Sequence, residues 1–277
     1  MSGKLYLVGT PIGNLSDFSP RAVATLEEVD FIAAEDTRVS VKLLNHFGIK
    51  KPLLSYHQHN CMSAGQGIIA RLLAGESCAL VTDAGMPAIS DPGEDLVRLC
   101  AENGVEVLTI PGPSAFVSAL ALSALPTGRF TFEGFLTTNK KERRAHLQSL
   151  AGEQRTMIFY EAPHKLRATL DDLYEAFGDR QIALCRELTK LHEETRRTTI
   201  AQAIAYYAQN DPKGEFVLVI AGAPPVEESA VTLEDGVAMV LRRREQGERM
   251  KDAVRQVCAD TGLNKNELYE AALKAGQ

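Results

Sequence analysis

The first 110 residues of the chain alternate short apolar runs with segments of helical periodicity. The apolar runs read as strands at Leu5–Val8, Phe31–Ala34, Cys78–Thr82 and Glu106–Ile110. The helical patterns cover Arg21–Glu28, Val39–Phe47, Gly65–Ala74 and Gly93–Glu102. This alternation is typical of a mainly parallel β-sheet with helices on its faces. It therefore predicts an α/β fold, in which ligands bind beyond the carboxyl ends of the strands.

A second α/β unit is predicted to follow. The stretch IPGPSAFVSALALSALPTGRF has prolines on both sides of a small-residue helix, which indicates a hinge between domains. Further strands are predicted at Arg129–Phe135, Thr156–Tyr160, Gln181–Arg186 and Phe216–Ala221, and further helices at Lys141–Leu150, Pro163–Phe177 and Thr199–Gln209. The proline pair in GAPPVEE, Gly222–Glu228, is typical of a linker. The predicted domains are residues 1–113, 114–226 and a helical extension, 227–277.

The helical extension contains the pattern KDAVRQVCADTGLNKNELYEAAL. It predicts a compact pair of helices with a break at Gly262 and an N-cap at Asn264. A helix-turn-helix is one interpretation of this pair. A small helical cap or a dimerisation element is the other, because the pattern specifies packing and not nucleic-acid contacts.

Composition excludes several classes of protein. No stretch reaches the roughly 18 to 20 apolar residues that a membrane span needs, and the start of the chain is not a secretory signal, so a cytoplasmic location is expected. The five cysteines are widely spaced and predict neither a disulfide framework nor a zinc site. A net charge of -6 argues against nonspecific coating of nucleic acid. The basic segments 140–144 and 242–251 still allow local basic faces, or they are solvated helix faces.

Three loops rich in glycine and proline follow predicted strands. The first, VGTPIGNLSD, resembles the dinucleotide fingerprint but does not match it, because Leu15 and Ser16 stand where the helix entry should be. The second, TDAGMPAISDPG, offers Asp83 to a ribose and backbone groups to a flat ligand at Gly85, Met86, Ala88 and Ser90. Asp91 is interpreted as a cap of the helix that follows. With PGPSA as a third wall, the loops predict a cleft for a ligand other than NAD.

These loops, together with AEDTR, SYHQHN, GFL, FYEAPHKL and RELTKLHEE, resemble the tetrapyrrole methylase fold family over roughly residues 4–222. Within it, they are similar to the members that methylate a cytidine 2′-hydroxyl in the decoding region of small-subunit ribosomal RNA. The resemblance implies S-adenosylmethionine bound between two α/β domains. Carried onto this sequence, it implies cofactor contacts at Pro11, in the Asp83–Ser90 loop, and at Ser114, Ala115, Phe135, Tyr160, Ala221 and Pro224.

Methyl transfer to a ribose hydroxyl is helped by a base that takes the hydroxyl proton. The candidate bases are Glu35, Asp36, His57 and Glu187, all in polar segments that follow apolar runs. The candidate RNA contacts are Arg38, His59, Asn60, Arg186 and Lys190, with Tyr56 or His57 available to stack on a flipped base. The alternative is a purely structural role, in which Glu35 pairs with Arg38 and RELTKLHEE is an ion-paired helical face. No metal is expected, because His57 and His59 have no convincing partner set.

Two other functions remain open at this stage. The chain could methylate a tetrapyrrole or another small molecule, although tetrapyrrole-modifying members of the family typically carry Gly-x-Gly-Pro-Gly-Asp where this chain has Gly9-Thr10-Pro11-Ile12-Gly13-Asn14. It could also be an RNA-binding assembly factor without turnover. A homodimer is expected, with the apolar helix at Phe116–Leu125 as a surface for the partner or as interdomain core.

Overall fold

The computed structural model describes residues 2–225 and 231–276 of the chain. These residues form two compact units, Met1–Ala223 and Pro224–Gln277. The first unit contains two five-stranded sheets and the second is helical. The α/β fold is confirmed.

The first sheet is entirely parallel, with strand order β3-β2-β4-β1-β5. Its strands are β1 (Lys4–Val8), β2 (Phe31–Ala34), β3 (Leu53–Ser55), β4 (Cys78–Val81) and β5 (Glu106–Ile110). Its helices are α1 (Pro20–Glu28), α2 (Thr37–His46), α3 (Cys61–Leu73) and α4 (Glu94–Glu102). β2 and β4 are buried along their whole length, as expected for a parallel sheet covered on both faces. β3 was not predicted, because a three-residue edge strand has no periodicity to read.

The second sheet is mixed, with strand order β6-β7-β10-β8-β9. Its strands are β6 (Phe130–Phe135), β7 (Thr156–Glu161), β8 (Gln181–Arg186), β9 (Glu194–Thr199) and β10 (Phe216–Ile220). Its helices are α5 (Ala115–Leu122), α6 (Lys140–Ser149), α7 (Leu166–Phe177) and α8 (Ile200–Gln209). β6 and β7 are parallel, whereas β10 is antiparallel to both β7 and β8. The carboxyl ends of β6, β7 and β8 therefore share one edge with the amino end of β10.

The segment RELTKLHEE is not a helical face. It is the end of β8, a turn, and the first residue of β9. Glu187 and Thr189 adopt φ angles of 52° and 67°, which no helix contains. β9 was missed because its sequence, ETRRTT, is polar throughout, as an edge strand can be.

The helix after the proline-rich stretch, α5, covers one face of the second sheet. Ala119 and Leu120 are buried against Ile158, Val217 and other core side chains of that sheet. Ile12, from the loop after β1, packs against the same cluster. The first unit is thus held together by contacts between its two halves, although each half has its own sheet. The predicted domain ends at 226 and 227, and part of the predicted linker 222–228, lie outside the described residues.

The second unit consists of α9 (Leu233–Glu245), α10 (Met250–Thr261) and α11 (Lys265–Ala275). Its core is formed by Val240, Val254, Val257 and Leu268 with two alanines. Gly262 ends α10 with φ 72°, and the Asn264 side chain accepts hydrogen bonds from two backbone amides of α11. The predicted break and cap are both present.

Candidate active site

Backbone hydrogen bonds join the three loops that follow β1, β4 and β5. The Gly9 amide donates to the Ile110 carbonyl at 3.1 Å. Thr10 and Gly85 exchange two backbone bonds, of 2.9 and 3.2 Å, and the Thr10 hydroxyl donates to the Thr82 carbonyl. A Cβ built on Gly9 would lie 2.7 Å from the Gly112 Cα atom, so the first and third loops touch through glycine backbones. This contact explains why the first apolar run ends in glycine.

A cavity of about 630 Å³ lies beyond these loops, within the first compact unit. This size falls in the range of small-molecule sites. One wall comes from the carboxyl ends of the first sheet, and the other from the aligned strand ends of the second. The lining residues are Ile12, Glu35, 83–86, 89–91 and 114–116 from the first wall, and Phe135, 160–164, Cys185, Leu188, Lys190 and 215–217 from the second.

The loop from Asp83 to Asp91 has an unusual backbone. Gly85, Ala88 and Ser90 adopt φ angles of 91°, 68° and 63°. Left-handed conformations cost non-glycine residues free energy and cluster at functional sites. Asp91 does not cap α4, contrary to the interpretation from the sequence, because the N-cap residue is Gly93 and no side chain bonds to the first turn. Asp91 lines the cavity instead.

Three carboxyl groups, those of Glu35, Asp83 and Asp91, form an acidic wall in the cavity. The Thr82 hydroxyl donates to Glu35 at 2.8 Å, and Asp83 accepts the backbone amide of Asp36 at 3.2 Å. Burial raises the pKa of Asp91 to about 6, and the negative charges of Glu35 and Asp83 add to the effect. Burial also raises the pKa of Asp83. The wall attracts positive charge and repels phosphate.

Aromatic side chains cover the opposite side of the cavity. Phe135 is 60% exposed, and its ring centre lies 5.3 Å from that of Tyr160. Tyr160 in turn contacts Phe132, which stacks on Phe116 at 4.5 Å. An exposed ring supported from below by other rings is suited to stacking against a planar ligand.

Lys190 connects the two walls. Its ammonium group lies 2.9 Å from Glu187 and 2.8 Å from Glu215. Its aliphatic stem lies against Gly13, where a Cβ would approach Lys190 Cγ to 2.6 Å. The hydrogen bond from Lys190 lowers the pKa of Glu187. Glu187 is therefore an ion-pair partner and a weak base, and it does not line the cavity.

Ten of the predicted site residues line the cavity, and the others lie outside it. The ten are Glu35, Asp83, Gly85, Met86, Ser90, Ser114, Ala115, Phe135, Tyr160 and Lys190. Pro11 and Ala88 are chain neighbours of lining residues but do not line the cavity themselves. Ala221 follows the carboxyl end of β10, and because this strand runs antiparallel, its other end, Phe216 and Val217, reaches the cavity. Pro224 begins the second compact unit and is not a lining residue.

Asp36 has a structural role. Its side chain caps α2 and pairs with the Arg38 guanidinium at 2.6 Å. The hydrogen bonds from Arg38 lower the pKa of Asp36 to about 2, so this carboxylate is a poor proton acceptor near neutral pH. The expected alternative, an ion pair between Glu35 and Arg38, is replaced by this pair.

The segment around His57 lies apart from the lining residues. Tyr56 is fully buried, so its ring cannot stack on a base. Asn60 accepts from the His57 amide and donates to the Ser55 carbonyl, which shapes the turn before α3. His57 and His59 place their rings 6.0 Å apart without lining the cavity.

Arg186 faces a second cavity, of about 390 Å³, and pairs with Glu194 at 3.1 Å. It thus lies on the other side of β8 from the ligand cavity. Several residues that line the ligand cavity were not predicted, namely Glu161, His164 and Phe216 of the second wall, and also Ile12 and Ile89. Only Glu161 and His164 had a signal, because the motif FYEAPHKL places them directly after a buried strand.

Two further findings concern residues 2–225 and 231–276. No group of three or more His, Cys, Asp or Glu side chains is arranged to hold a metal ion there. None of the helices described in these ranges has the length and apolar character needed to cross a membrane.

Comparisons with known proteins agree on a family. Residues 4–204 match the family described as Tetrapyrrole (Corrin/Porphyrin) Methylases. A relative from Synechocystis sp., named "Ribosomal RNA small subunit methyltransferase I", is 50% identical over 98% of both chains. A relative of the same name from Bacillus subtilis is 44% identical over 97% of this chain and 94% of its own. A third, from Thermotoga maritima, is 49% identical over 79% of this chain and 99% of its own.

Solved structures share the fold at low sequence identity. The uroporphyrin-III-C-methyltransferase from Thermus thermophilus superposes with a TM-score of 0.54 at 18% identity, covering 78% of this chain and 94% of its own. A diphthine synthase gives a TM-score of 0.61 at 13% identity, covering 80% of this chain and 90% of its own. The two-sheet architecture, the matched residues and the near full-length relatives lead to one conclusion: the chain belongs to the tetrapyrrole methylase family, among the relatives named ribosomal RNA small subunit methyltransferase I.

Proposed function

We propose that the chain transfers a methyl group from S-adenosylmethionine to the 2′-hydroxyl of a cytidine in the decoding region of small-subunit ribosomal RNA. The observation that carries the proposal is the 50% identity, over 98% of both chains, to a relative named for small-subunit ribosomal RNA methylation. The cytidine and the 2′ position rest on the motif resemblance alone. The cavity supports a small positively charged donor as the ligand.

The residues of the cavity fit S-adenosylmethionine. The acidic wall of Glu35, Asp83 and Asp91 complements a molecule that carries a sulfonium and an ammonium group. Phe135, backed by Tyr160, offers a ring for a purine, and the loop 83–90 offers backbone groups in non-helical conformations. Ser114 and Ala115 begin α5 at the same edge. When bound, this donor supplies a methyl group on positively charged sulfur.

The chain must then orient the ribose and receive a proton. Methyl transfer needs the attacking oxygen in line with the methyl carbon, and such positioning contributes much of the rate gain. Among the four predicted bases, Asp36 and Glu187 are held in ion pairs and His57 does not line the cavity. Glu35 does line it, with one oxygen accepting from Thr82. The proposed proton acceptor is therefore a carboxylate of the acidic wall.

We propose that RNA approaches from the rim of this wall. Arg38, 88% exposed, lies beside it, because the Asp36 amide donates to Asp83. His164 is exposed on the second wall, and Lys140 and Lys141 are exposed at the start of α6. Cations at the rim suit phosphates, while the acidic interior keeps phosphates out and admits a neutral ribose. Contacts from His59, Asn60, Arg186 and Lys190 stay predictions.

A tetrapyrrole substrate is the second candidate. It is favoured by the fold shared with a uroporphyrin methyltransferase, at 18% identity. The first loop argues against it, since Ile12 occupies a position in the cavity where tetrapyrrole-modifying members typically carry a glycine-proline-glycine turn.

A homodimer is also proposed. Val117 and Leu122 on α5 are exposed apolar side chains, and so is Phe130, whose ring centre lies 6.4 Å from that of Phe116 on the same helix. Clustered exposed apolar side chains mark interaction surfaces on proteins. Light scattering should give twice the chain mass, and Val117→Asp should reduce it to one chain mass.

The test of the proposed function is transfer of labelled methyl from S-adenosylmethionine to small-subunit particles from cells that lack this protein. Nuclease mapping should place the label on one cytidine 2′-oxygen. Asp83→Ala should abolish transfer, and Glu94→Gln, a neighbouring surface carboxylate outside the cavity, should leave it unchanged. Donor binding without transfer to any form of the RNA would move the assignment to a small-molecule substrate.

A further inference from the structure

The acidic wall contains one carboxyl group that no structural task explains. Asp91 sits two residues before the N-cap of α4 and does not cap the helix. Its chain neighbour Ser90 lies across from the second half of the unit, because a Cβ built on Gly134 of β6 would be 3.3 Å from the Ser90 hydroxyl. Asp91 is therefore placed where the two walls of the cavity meet.

The other carboxyl groups lining the cavity in the described part of the chain are engaged. Glu161 is buried, and its two oxygens accept from the Ala162 amide and the Thr169 hydroxyl. Glu215 pairs with Lys190. Asp83 accepts a backbone amide and Glu35 accepts the Thr82 hydroxyl. Asp91 has no ion-pair partner among the described residues, and its polar contact is with the Thr82 hydroxyl, which donates to Glu35 at 2.8 Å.

We propose that Asp91 is the catalytic base, whose carboxylate takes the 2′-hydroxyl proton of the RNA ribose as the methyl group is transferred. This inference rests on the proposed function. In the step, the ribose oxygen forms a bond to the methyl carbon, and the carbon–sulfur bond breaks with its electron pair left on sulfur. The O–H bond breaks, and its proton passes to the Asp91 carboxylate. The sulfonium loses its charge and the carboxylate loses its own, so atoms and charges balance.

The surroundings of Asp91 suit this role. Glu35 and Asp83 face it from the ends of β2 and β4, the Thr82 hydroxyl contacts it, and Tyr160 faces it from β7. Burial and the two neighbouring charges raise the pKa of Asp91 to about 6, whereas the contact with Thr82 lowers it. A base with a pKa just below the working pH is ionised yet still basic enough to accept a proton.

The first test compares wild type, Asp91→Asn and the control Glu94→Gln in single-turnover transfer to small-subunit particles between pH 5 and 9. The rates of wild type and Glu94→Gln should rise about tenfold per pH unit at low pH and level off at or below about pH 6, because bound S-adenosylmethionine lowers the pKa of Asp91. Asp91→Asn should be slower by about 10² to 10⁴ at pH 7.5 and should lack the inflection. Its affinity for S-adenosylmethionine, measured by calorimetry, should fall far less than its rate, because Glu35 and Asp83 keep the acidic wall negatively charged.

The second test reads the carboxyl group directly. Carbon NMR of protein labelled at the aspartate carboxyl carbons should show one group that titrates near pH 6 and is missing in Asp91→Asn. S-adenosylmethionine should lower its midpoint, because the sulfonium favours the carboxylate, and the uncharged S-adenosylhomocysteine should lower it less.

The outcomes distinguish the role of Asp91 from the proposed function of the chain. Wild-type rate and pH profile in Asp91→Asn would overturn the role of Asp91 and leave the proposed function intact. Loss of donor affinity in proportion to rate would make Asp91 a binding residue. No transfer to RNA by wild-type protein would overturn the proposed function, and the base assignment with it.

Discussion

The contact between Gly9 and Gly112 makes a specific prediction for Gly9→Ala. The added Cβ would lie 2.6 Å from the Met86 sulfur and 2.7 and 2.8 Å from Gly112 backbone atoms. Ordinary contact begins near 3.4 Å, so the overlap is at least 0.6 Å on three atoms. The Met86 side chain can move aside, but the Gly112 backbone belongs to the loop that carries Ser114 to the cavity.

Overpacking of this kind costs about 1 to 3 kcal/mol. For a unit of this size, that lowers Tm by roughly 2 to 12 °C. Gly9→Ala should also weaken binding of S-adenosylmethionine, because the first and third loops must separate. Thermal unfolding by circular dichroism and calorimetric titration of the donor measure the two effects.

Gly67→Ala is the matched control. Gly67 lies within α3, and a Cβ there meets nothing within 4 Å. Replacing it should stabilise the helix by up to about 1 kcal/mol and leave donor binding unchanged. If Gly9→Ala unfolds at or above the wild-type temperature and binds the donor normally, the glycine contact does not hold the loops together.

Three further predictions concern ionisable side chains. Asp172→Asn should destabilise the chain by about 3 kcal/mol in urea unfolding, because the side chains of Arg143 and Asp172 are only 14% and 13% exposed. Glu175→Gln breaks the exposed pair with Arg144 on the same two helices and should cost under about 1 kcal/mol. Equal costs would contradict the argument that burial strengthens the first pair. The pKa of Asp91 is about 6 in the folded chain and near 4 in the unfolded chain, so the free energy of unfolding of wild type should fall as pH rises between these values. Asp91→Asn should therefore be more stable than wild type at pH 8, by about 1 kcal/mol after allowing for solvent screening. At pH 4 the two proteins should be equally stable. Burial raises the pKa of Cys78 to about 12 and of Cys100 to about 11, so Ellman's reagent should label the partly exposed Cys61 and Cys258 in the native chain and reach Cys78 and Cys100 only after denaturation.

Much of the fold could be read from local pattern. The parallel strands β2 and β4 are apolar throughout and bounded by turn residues, so their type was predictable, with the ends of β2 as predicted and the carboxyl end of β4 one residue short of the prediction. β9 could not be read in this way, because its sequence is polar throughout and only its pairing with β8, which includes the ion pair of Glu194 with Arg186, makes it a strand. The local charge pattern of residues 186–194 indicated a helical face, whereas hydrogen bonding between β8 and β9 makes the ends of this segment strand.

The candidate site was predicted best where loops follow parallel strands. Asp83 and Ser90 reach the cavity because the carboxyl ends of such strands share an edge. The antiparallel course of β10 reversed the expectation for Ala221, and no local signal reveals strand direction in a mixed sheet. Asp91 was taken for a cap because Asp-Pro-Gly before a helix is typical of caps, whereas in the structure Asp91 follows the left-handed Ser90 and lines the cavity.

We propose that the cavity between the two sheets holds S-adenosylmethionine. Calorimetric titration of the donor into wild type and Ser114→Trp measures this, because Ser114 lines the cavity and makes no capping hydrogen bond that the substitution would remove. We expect one site per chain in wild type, none detectable in Ser114→Trp, and similar Tm values for both in the absence of donor. Unchanged binding by Ser114→Trp, or no binding by wild type, would contradict it.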